Sequence, residues 1–378
     1  MKPVYLDYNA STPIAPEVAD AMRPFLLEHC GNPSSHHWAG APAKQAIEKA
    51  RGQVASLLGC SPQEIIFTSG GTEANNHAIK GAFFALRQKG NHIITTQVEH
   101  PAVLQPCRFL ERLGAQVTYL PVDSAGMVNP EDVRQSITSR TILVSVMHAN
   151  NEVGAVQPIA EISRITRERG ILFHTDAAQS IGKLSANVSE LGVDVLSVAG
   201  HKLYAPKGVG ALYVRQGVQL ESFMHGAGHE SGRRAGTENV LLDVALGAAC
   251  ELAAADLDSR GAQISGLRDY FYAGLKDLFG EGLHLNGHPA ERLPNTLNVS
   301  FAGRIGSEVL QALEGVAAST GSACHSGRHE LSPVLRAMGV PEPIGLAAVR
   351  FSLGRGTTTE ELDHVLALLR SDILKMRS

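Results

Sequence analysis

The chain has 378 residues, 44% of them hydrophobic and 19% charged, with a formal net charge of -4. These values fit a soluble globular protein with room for two cooperating domains and exclude a disordered chain. No Lys/Arg run could bind nucleic acid by its field, no apolar stretch could span a bilayer, and Met1 to Tyr8 lacks the regions of a secretory leader, so a cytoplasmic protein without membrane or nucleic-acid partner is expected.

In chain order, residues 41–58 carry Ile47, Val54, Leu57 and Leu58 with charges between them, which predicts an amphipathic helix. A β-rich run at 64–68 leads into Ser69-Gly70-Gly71-Thr72 and a helical stretch at 73–87. A strand is expected at 92–96, and Pro101 suits the first turn of the helix after it. Runs at 116–121, 141–147, 171–175 and 194–199 read as strands, with a helix at 159–169. This alternation means an α/β domain around a largely parallel sheet, with ligands gathered beyond the carboxyl ends of its strands. From residue 241 the character changes. An Ala-rich helix at 241–257 is long enough to link two domains, 296–301 and 349–353 read as strands, and a capping box of Thr358 and Glu361 opens a last helix to 376. This part is expected to be a smaller α+β domain. Cys30, Cys60, Cys107, Cys250 and Cys324 are scattered, without a CxxC pair, and read as free thiols.

Four features fall at successive strand ends. The Ser69-Gly70-Gly71-Thr72-Glu73 turn opens a helix whose N–H groups suit a phosphate, although a plain turn and helix cap explains it equally well. His100 stands at the start of the next helix, where a lone histidine is usually structural. Asp176 ends a buried strand, where an unpaired carboxylate is costly, although helix capping accounts for it as well. Lys202, in Ala199-Gly200-His201-Lys202, is either a surface-turn residue or an amine made nucleophilic by desolvation. As a set they are the parts pyridoxal phosphate requires: a phosphate cradle, a stacking partner, a carboxylate for the pyridine nitrogen and a lysine. His225 and His229 have a zinc-like spacing, but Gly226 and Gly228 favour a glycine-rich loop, and no metal site is expected.

Longer blocks add to these residues. They are Tyr5-Leu6-Asp7-Tyr8-Asn9-Ala10, Phe67-Thr68-Ser69-Gly70-Gly71-Thr72-Glu73, His148-Ala149-Asn150-Asn151-Glu152, Gly200-His201-Lys202, Arg234-Ala235-Gly236-Thr237, Gly321-Ser322-Ala323-Cys324 and Arg350-Phe351-Ser352-Leu353-Gly354-Arg355. In order and spacing they resemble the class V aminotransferase-like group of fold-type I pyridoxal-phosphate enzymes, and within it the cysteine desulfurases of the NifS/IscS type. The resemblance covers almost the whole chain. It implies an N-terminal segment at 1–15 packed on the small domain, a large cofactor-binding domain at 16–250, and a small C-terminal domain at 251–378 carrying the Cys324 loop.

It also implies roles. Lys202 holds pyridoxal 5'-phosphate covalently and moves the substrate's α-proton. His100 stacks on the ring, Asp176 pairs with the pyridinium and Gln179 contacts the phenolic oxygen. Thr72, the backbone at Gly71, and His201 hold the phosphate. Thr237 reaches the phosphate of the other subunit, which makes the protein a homodimer. Asn151 and Arg350 bind the carboxylate of L-cysteine, to which the planar fork of Arg350 is suited. Cys324 takes the sulfur as a persulfide and releases alanine, and its small, polar loop is long enough to deliver the sulfur to an acceptor such as an iron–sulfur scaffold protein.

Two positions depart from the pattern. Ala199 stands where many desulfurases have a phosphate-binding Ser, a loss of about 1 kcal/mol for one hydrogen bond. His325 follows Cys324 where Thr or Ser is usual. Both favour the alternative of a selenocysteine lyase acting on L-selenocysteine, although an exposed loop residue is the preferred reading of His325. A cofactor-free scaffold with the same fold is a third reading, against which the intact Lys202, Asp176 and His100 speak.

Overall fold

The computed structural model of the chain describes residues 3–320, 324–325 and 328–376. Strand β1 (Val4–Tyr5) stands apart. Strands β2 (Ile65–Thr68), β3 (His92–Thr96), β4 (Gln116–Leu120), β5 (Thr141–Ser145), β6 (Leu172–Asp176), β7 (Val195–Ala199) and β8 (Gly210–Val214) form one sheet in the order β2-β8-β7-β6-β5-β3-β4. Only β8 runs against its neighbours. The reason is local. The link from β7 to β8 is too short for the crossover of a dozen or more residues that a parallel return needs, so the chain turns straight back.

Every residue of β3, β5, β7 and β8 is buried, as expected of strands covered on both faces. Helices α1 (Pro16–Leu27) and α2 (Ala41–Leu58) cover one face, where Val18, Ile47, Val54 and Leu58 meet Phe67, Val144, Phe173 and Leu196. Helices α3 (Gly71–Leu86) and α4 (Pro101–Glu111) cover the other, with Ile79, Val103 and Leu110 against Ile93 and Leu143. Each such side chain contributes about 1.5–3 kcal/mol by leaving water. Helix α2 stops at Gly59, whose φ of 67° lets its N–H reach the carbonyls of Ala55 and Ser56.

A helix of 40 residues, Val240–Phe279, leads out of this unit and overruns the expected end at 257. Its one break is Asp256, at φ -141° and ψ 22°, whose carboxylate takes two bonds from Arg355, at 3.1 and 2.6 Å, and two from Arg260, at 3.2 and 3.0 Å. The polar stretch that ended the sequence pattern thus continues the helix past an ion-paired kink. Beyond it, β9 (Leu283–Asn286), β10 (Thr296–Phe301), β11 (Val316–Ala317), β12 (Cys324–His325), β13 (Arg328–His329) and β14 (Ala348–Ser352) follow. Strands β14-β10-β9 make an antiparallel sheet, β1 pairs with β11, and β12 with β13. A second core gathers Phe271, Val299, Phe351, Leu362 and Val365 with Val4 and Leu6 of the N-terminal segment. Among the described residues, no helix is long and apolar enough to cross a membrane.

Candidate active site

A cavity of about 320 Å³ opens beyond the carboxyl ends of β3, β6 and β7. It brings together Gly71, Thr72, His100, Asn151, Asp176, Gln179, His201, Lys202 and Arg350. A larger hollow of about 730 Å³ lies at the opposite sheet end, beside Thr141, Leu172 and Asp194. That end holds none of these residues, and parallel sheets do their chemistry at the other.

The turn after β2 reaches the cavity through Gly70, at φ 145°, and Gly71, the first residue of α3. A Cβ on Gly71 would stand 3.1 Å from the Ala199 Cβ. Two small residues therefore face each other across the cavity floor, at a helix N-terminus that favours an anion. One turn along α3, Asn75 donates to Asp176 Oδ2 at 2.6 Å. The other oxygen, Oδ1, accepts the Ala178 N–H at 2.9 Å. No helix starts after Asp176, so the carboxylate closes a turn and keeps an edge on the cavity.

His100 is the N-cap of α4, its Nδ1 accepting the Ala102 N–H at 3.0 Å, which leaves the neutral ring's proton on Nε2. Its outer edge is solvent-accessible, yet the concave walls and the Lys202 charge lower its basicity, against the opposing pull of Asp176. Burial likewise presses His201 down to about 4, so it is neutral near pH 7 and acts through N–H or lone pair, not charge.

Lys202 follows β7 in a single 3-10 turn and donates to the carbonyls of Asn9, at 2.6 Å, and Ala10, at 2.8 Å. Burial first, and Arg350 second, bring it down to about 8, while Asp7 and Asp176 hold it up. Roughly a quarter of such an amine is unprotonated at about pH 7.5, against about one part in a thousand for an ordinary lysine. The Asn9 carbonyl also receives Gln179 Nε2 at 3.0 Å. Arg350 donates to the Asn151 carbonyl at 3.0 Å and to Asp7 Oδ1 at 2.8 Å, and its buried Nε has no partner. Asp7 takes Ser319 Oγ as well, at 2.9 Å. Asn75 stands outside the sequence blocks, and Asp7 and Asn9 lie in the first of them without an expected role.

Two expected residues lie elsewhere. Thr237 borders a separate hollow with Ser69, Arg234 and Asp243, outside this chain's cavity. Cys324 and His325 are described only as a two-residue strand, and their side chains, with Gly321 to Ala323, lie outside the described residues. His225 sits in a loop, 3.7 Å from Glu221, and among the described residues no His/Cys/Asp/Glu group is arranged for a metal.

The geometry offers an anion seat at the α3 N-terminus, a carboxylate for a basic ring nitrogen, a reactive amine and a guanidinium with donors to spare. These suit a flat, phosphate-bearing aromatic aldehyde and an amino acid beside it.

Comparison with known proteins agrees in extent and in kind. The model of the family described as "Aminotransferase class-V" matches residues 4–365. A protein of Dictyoglomus turgidum named cysteine desulfurase IscS is 50% identical over 377 residues, 99% of this chain and 95% of its own length. A solved structure called a NifS-like protein superposes with a TM-score of 0.92 at 39% identity, covering 99% of this chain and all of its own. Another, titled SspA in complex with cysteine, has a TM-score of 0.83 at 38% identity and covers 93% of this chain and 98% of its own.

Proposed function

The chain belongs to the class-V aminotransferase family, and from that premise we propose that it is a cysteine desulfurase that uses pyridoxal phosphate. The observation that carries this reading is the meeting of Lys202, Asp176 and His100 with Arg350 around one cavity. The cofactor fits the residues present. The glycine turn at the α3 N-terminus would take its phosphate, Asp176 would pair with its ring nitrogen, and Lys202, lowered to about 8 by burial, would supply the unprotonated amine that bonds to its aldehyde. When bound, it supplies an electron sink that makes the amino acid's Cα–H acidic.

The chain's own residues do the rest. Arg350 and Asn151 orient the carboxylate of L-cysteine, the unpaired Nε of Arg350 being one free donor. Lys202 carries the proton at Cα. His100 and Gln179 line the cavity and would hold the cofactor's ring and its phenolic oxygen. The Cys324 thiolate attacks the substrate sulfur, the new S–S bond forms as the Cβ–S bond breaks, and the carbon skeleton takes up protons to leave as alanine. The persulfide on Cys324 then passes to an acceptor protein. We place the protein in the cytoplasm as a homodimer, with Thr237 serving the partner's phosphate.

Single-turnover reaction with cysteine tests this directly. Mass spectrometry should find one added sulfur on the Cys324 peptide, and Cys324→Ala should lose cysteine turnover. A variant at full speed, with no added sulfur in the native protein, overturns the persulfide step. His325 and Ala199 favour selenocysteine as a second substrate, and selenols leave more readily, so Cys324→Ala is expected to keep part of its activity there.

A further inference from the structure

Gln179 has a neighbour that the proposed reaction does not use. Lys183 sits one turn further along, and its Nζ donates to the Gln179 carbonyl at 2.9 Å and to Gln179 Oε1 at 3.1 Å. Its stem keeps some surface, but the ammonium is enclosed, and the charges it feels are cations, Lys202 and Arg350. Among the described residues it has no carboxylate partner. A buried ammonium without a counter-ion is costly. Desolvation above all, then those two cations, bring it down to about 7.

The hydrogen bonds settle which way the Gln179 amide faces. Lys183 Nζ has N–H bonds to give whether charged or neutral, and the amide atom it meets, at 3.1 Å, is Oε1. The Asn9 carbonyl only accepts, so the atom it meets, at 3.0 Å, must be Nε2. With both ends committed, the amide can offer the cavity only its remaining N–H. Gln179 is 5% exposed, and a flip would place two donors nose to nose and two oxygens likewise. We propose that Lys183 is a positioning residue that locks the Gln179 amide as a hydrogen-bond donor toward the cofactor's phenolic oxygen. This inference rests on the cofactor reading above.

The locked donor has a spectroscopic consequence. The phenolic oxygen carries its full negative charge only after the proton it shares with the lysine–cofactor link has left. An N–H held there favours that deprotonated form, so it lowers the pH at which the cofactor's absorption bands interchange. The other titratable or charged groups facing the link at Lys202 are His100, Asp176, His201, Arg350 and Asp7, and all of them stay in place in the test.

The experiment titrates absorption of the protein reconstituted with pyridoxal phosphate, without substrate. Lys183→Met should raise the midpoint by about one unit, and Lys183→Arg, which keeps a donor, should restore most of it. Gln179→Leu should shift it the same way, and Lys183→Met with Gln179→Leu should shift it no further than the larger single change. Gln179→Glu keeps the contact with Lys183 but loses the N–H, so it must also raise the midpoint, even if Lys183→Met does not fold. An unmoved midpoint in Lys183→Met or Gln179→Glu, or additive shifts in the double variant, overturns the proposal. A native protein that takes up no cofactor instead overturns the reading beneath it.

Discussion

Glu99, the residue before His100, allows a prediction whose size follows from the structure. Its side chain is buried, with Oε1 accepting Thr96 Oγ1 and the Met147 N–H, each at 2.9 Å, and Oε2 without a partner. Burial is the main cause that pushes its pKa from 4.5 up to about 8, helped by Asp176 and resisted by the two hydrogen bonds. An acid raised on folding binds more protons in the native state, so its contribution is complete below its unfolded value and fades as pH climbs to the folded one. Between about pH 5.5 and 8 that amounts to about 3 kcal/mol lost by the native protein. Glu99→Gln keeps the accepting oxygen and cannot titrate. Urea unfolding of cofactor-free protein at several pH values should therefore show the variant gaining on the native protein by about this amount across the window. Parallel stability curves would mean that Glu99 is ionised in the fold.

Other outcomes follow from the same geometry. Arg350→Met should raise KM for cysteine about 10- to 100-fold, the size of a lost charge-assisted bond of about 1.5–3 kcal/mol; it should also move Lys202 above about 8, seen as a shifted pH–rate profile. Ala199→Ser should tighten cofactor binding about fivefold, for one added bond of about 1 kcal/mol, because the new hydroxyl would stand beside Gly71 at the α3 N-terminus; equilibrium dialysis measures it, and weaker binding would show that the floor is too tight. Mixing Lys202→Ala with Thr237→Ala protomers should restore some of the activity each lacks, and its absence in proven mixed dimers would count against a shared phosphate site.

Much of this was legible in the chain, for physical reasons. Strand and helix periodicity is local, so the sheet order apart, β3, β5, β6 and β7 fall within a few residues of the runs that predict them. Lys202, Asp176 and His100 could be picked out because each pairs an unusual residue type with a strand end. Asn75 could not, since its bond to Asp176 spans 101 positions and an asparagine within a helix carries no signal of its own. Lys183 was invisible for a different reason. A lysine four residues after a glutamine reads as a solvated face, and only the fold turns it inward. The overrun of the long helix past 257 shows the same limit, because the ion pairs of Asp256 with Arg260 and Arg355 are what carry it through a polar stretch.

The N-terminal segment shows why the site needs both halves of the chain. Asn9 gives its carbonyl to Lys202 and Gln179, while its side chain donates to Thr296 Oγ1 and accepts Asn295 Nδ2 from the second unit. Two residues earlier, Asp7 holds Arg350 and Ser319. The Lys202 amine and the Arg350 guanidinium, to which the proposed function assigns the α-proton and the substrate carboxylate, are thus referenced to residues 7–10, one short piece of backbone. That backbone is tied down by the bond from Asn9 N to Ser352 Oγ, at 2.9 Å, and by the β1–β11 pairing. In the proposed reaction a substrate held by Arg350 would meet Lys202 at a distance set by covalent geometry and short hydrogen bonds, not by the packing of two separate cores. Rigid spacing of this kind is what a proton transfer at Cα requires.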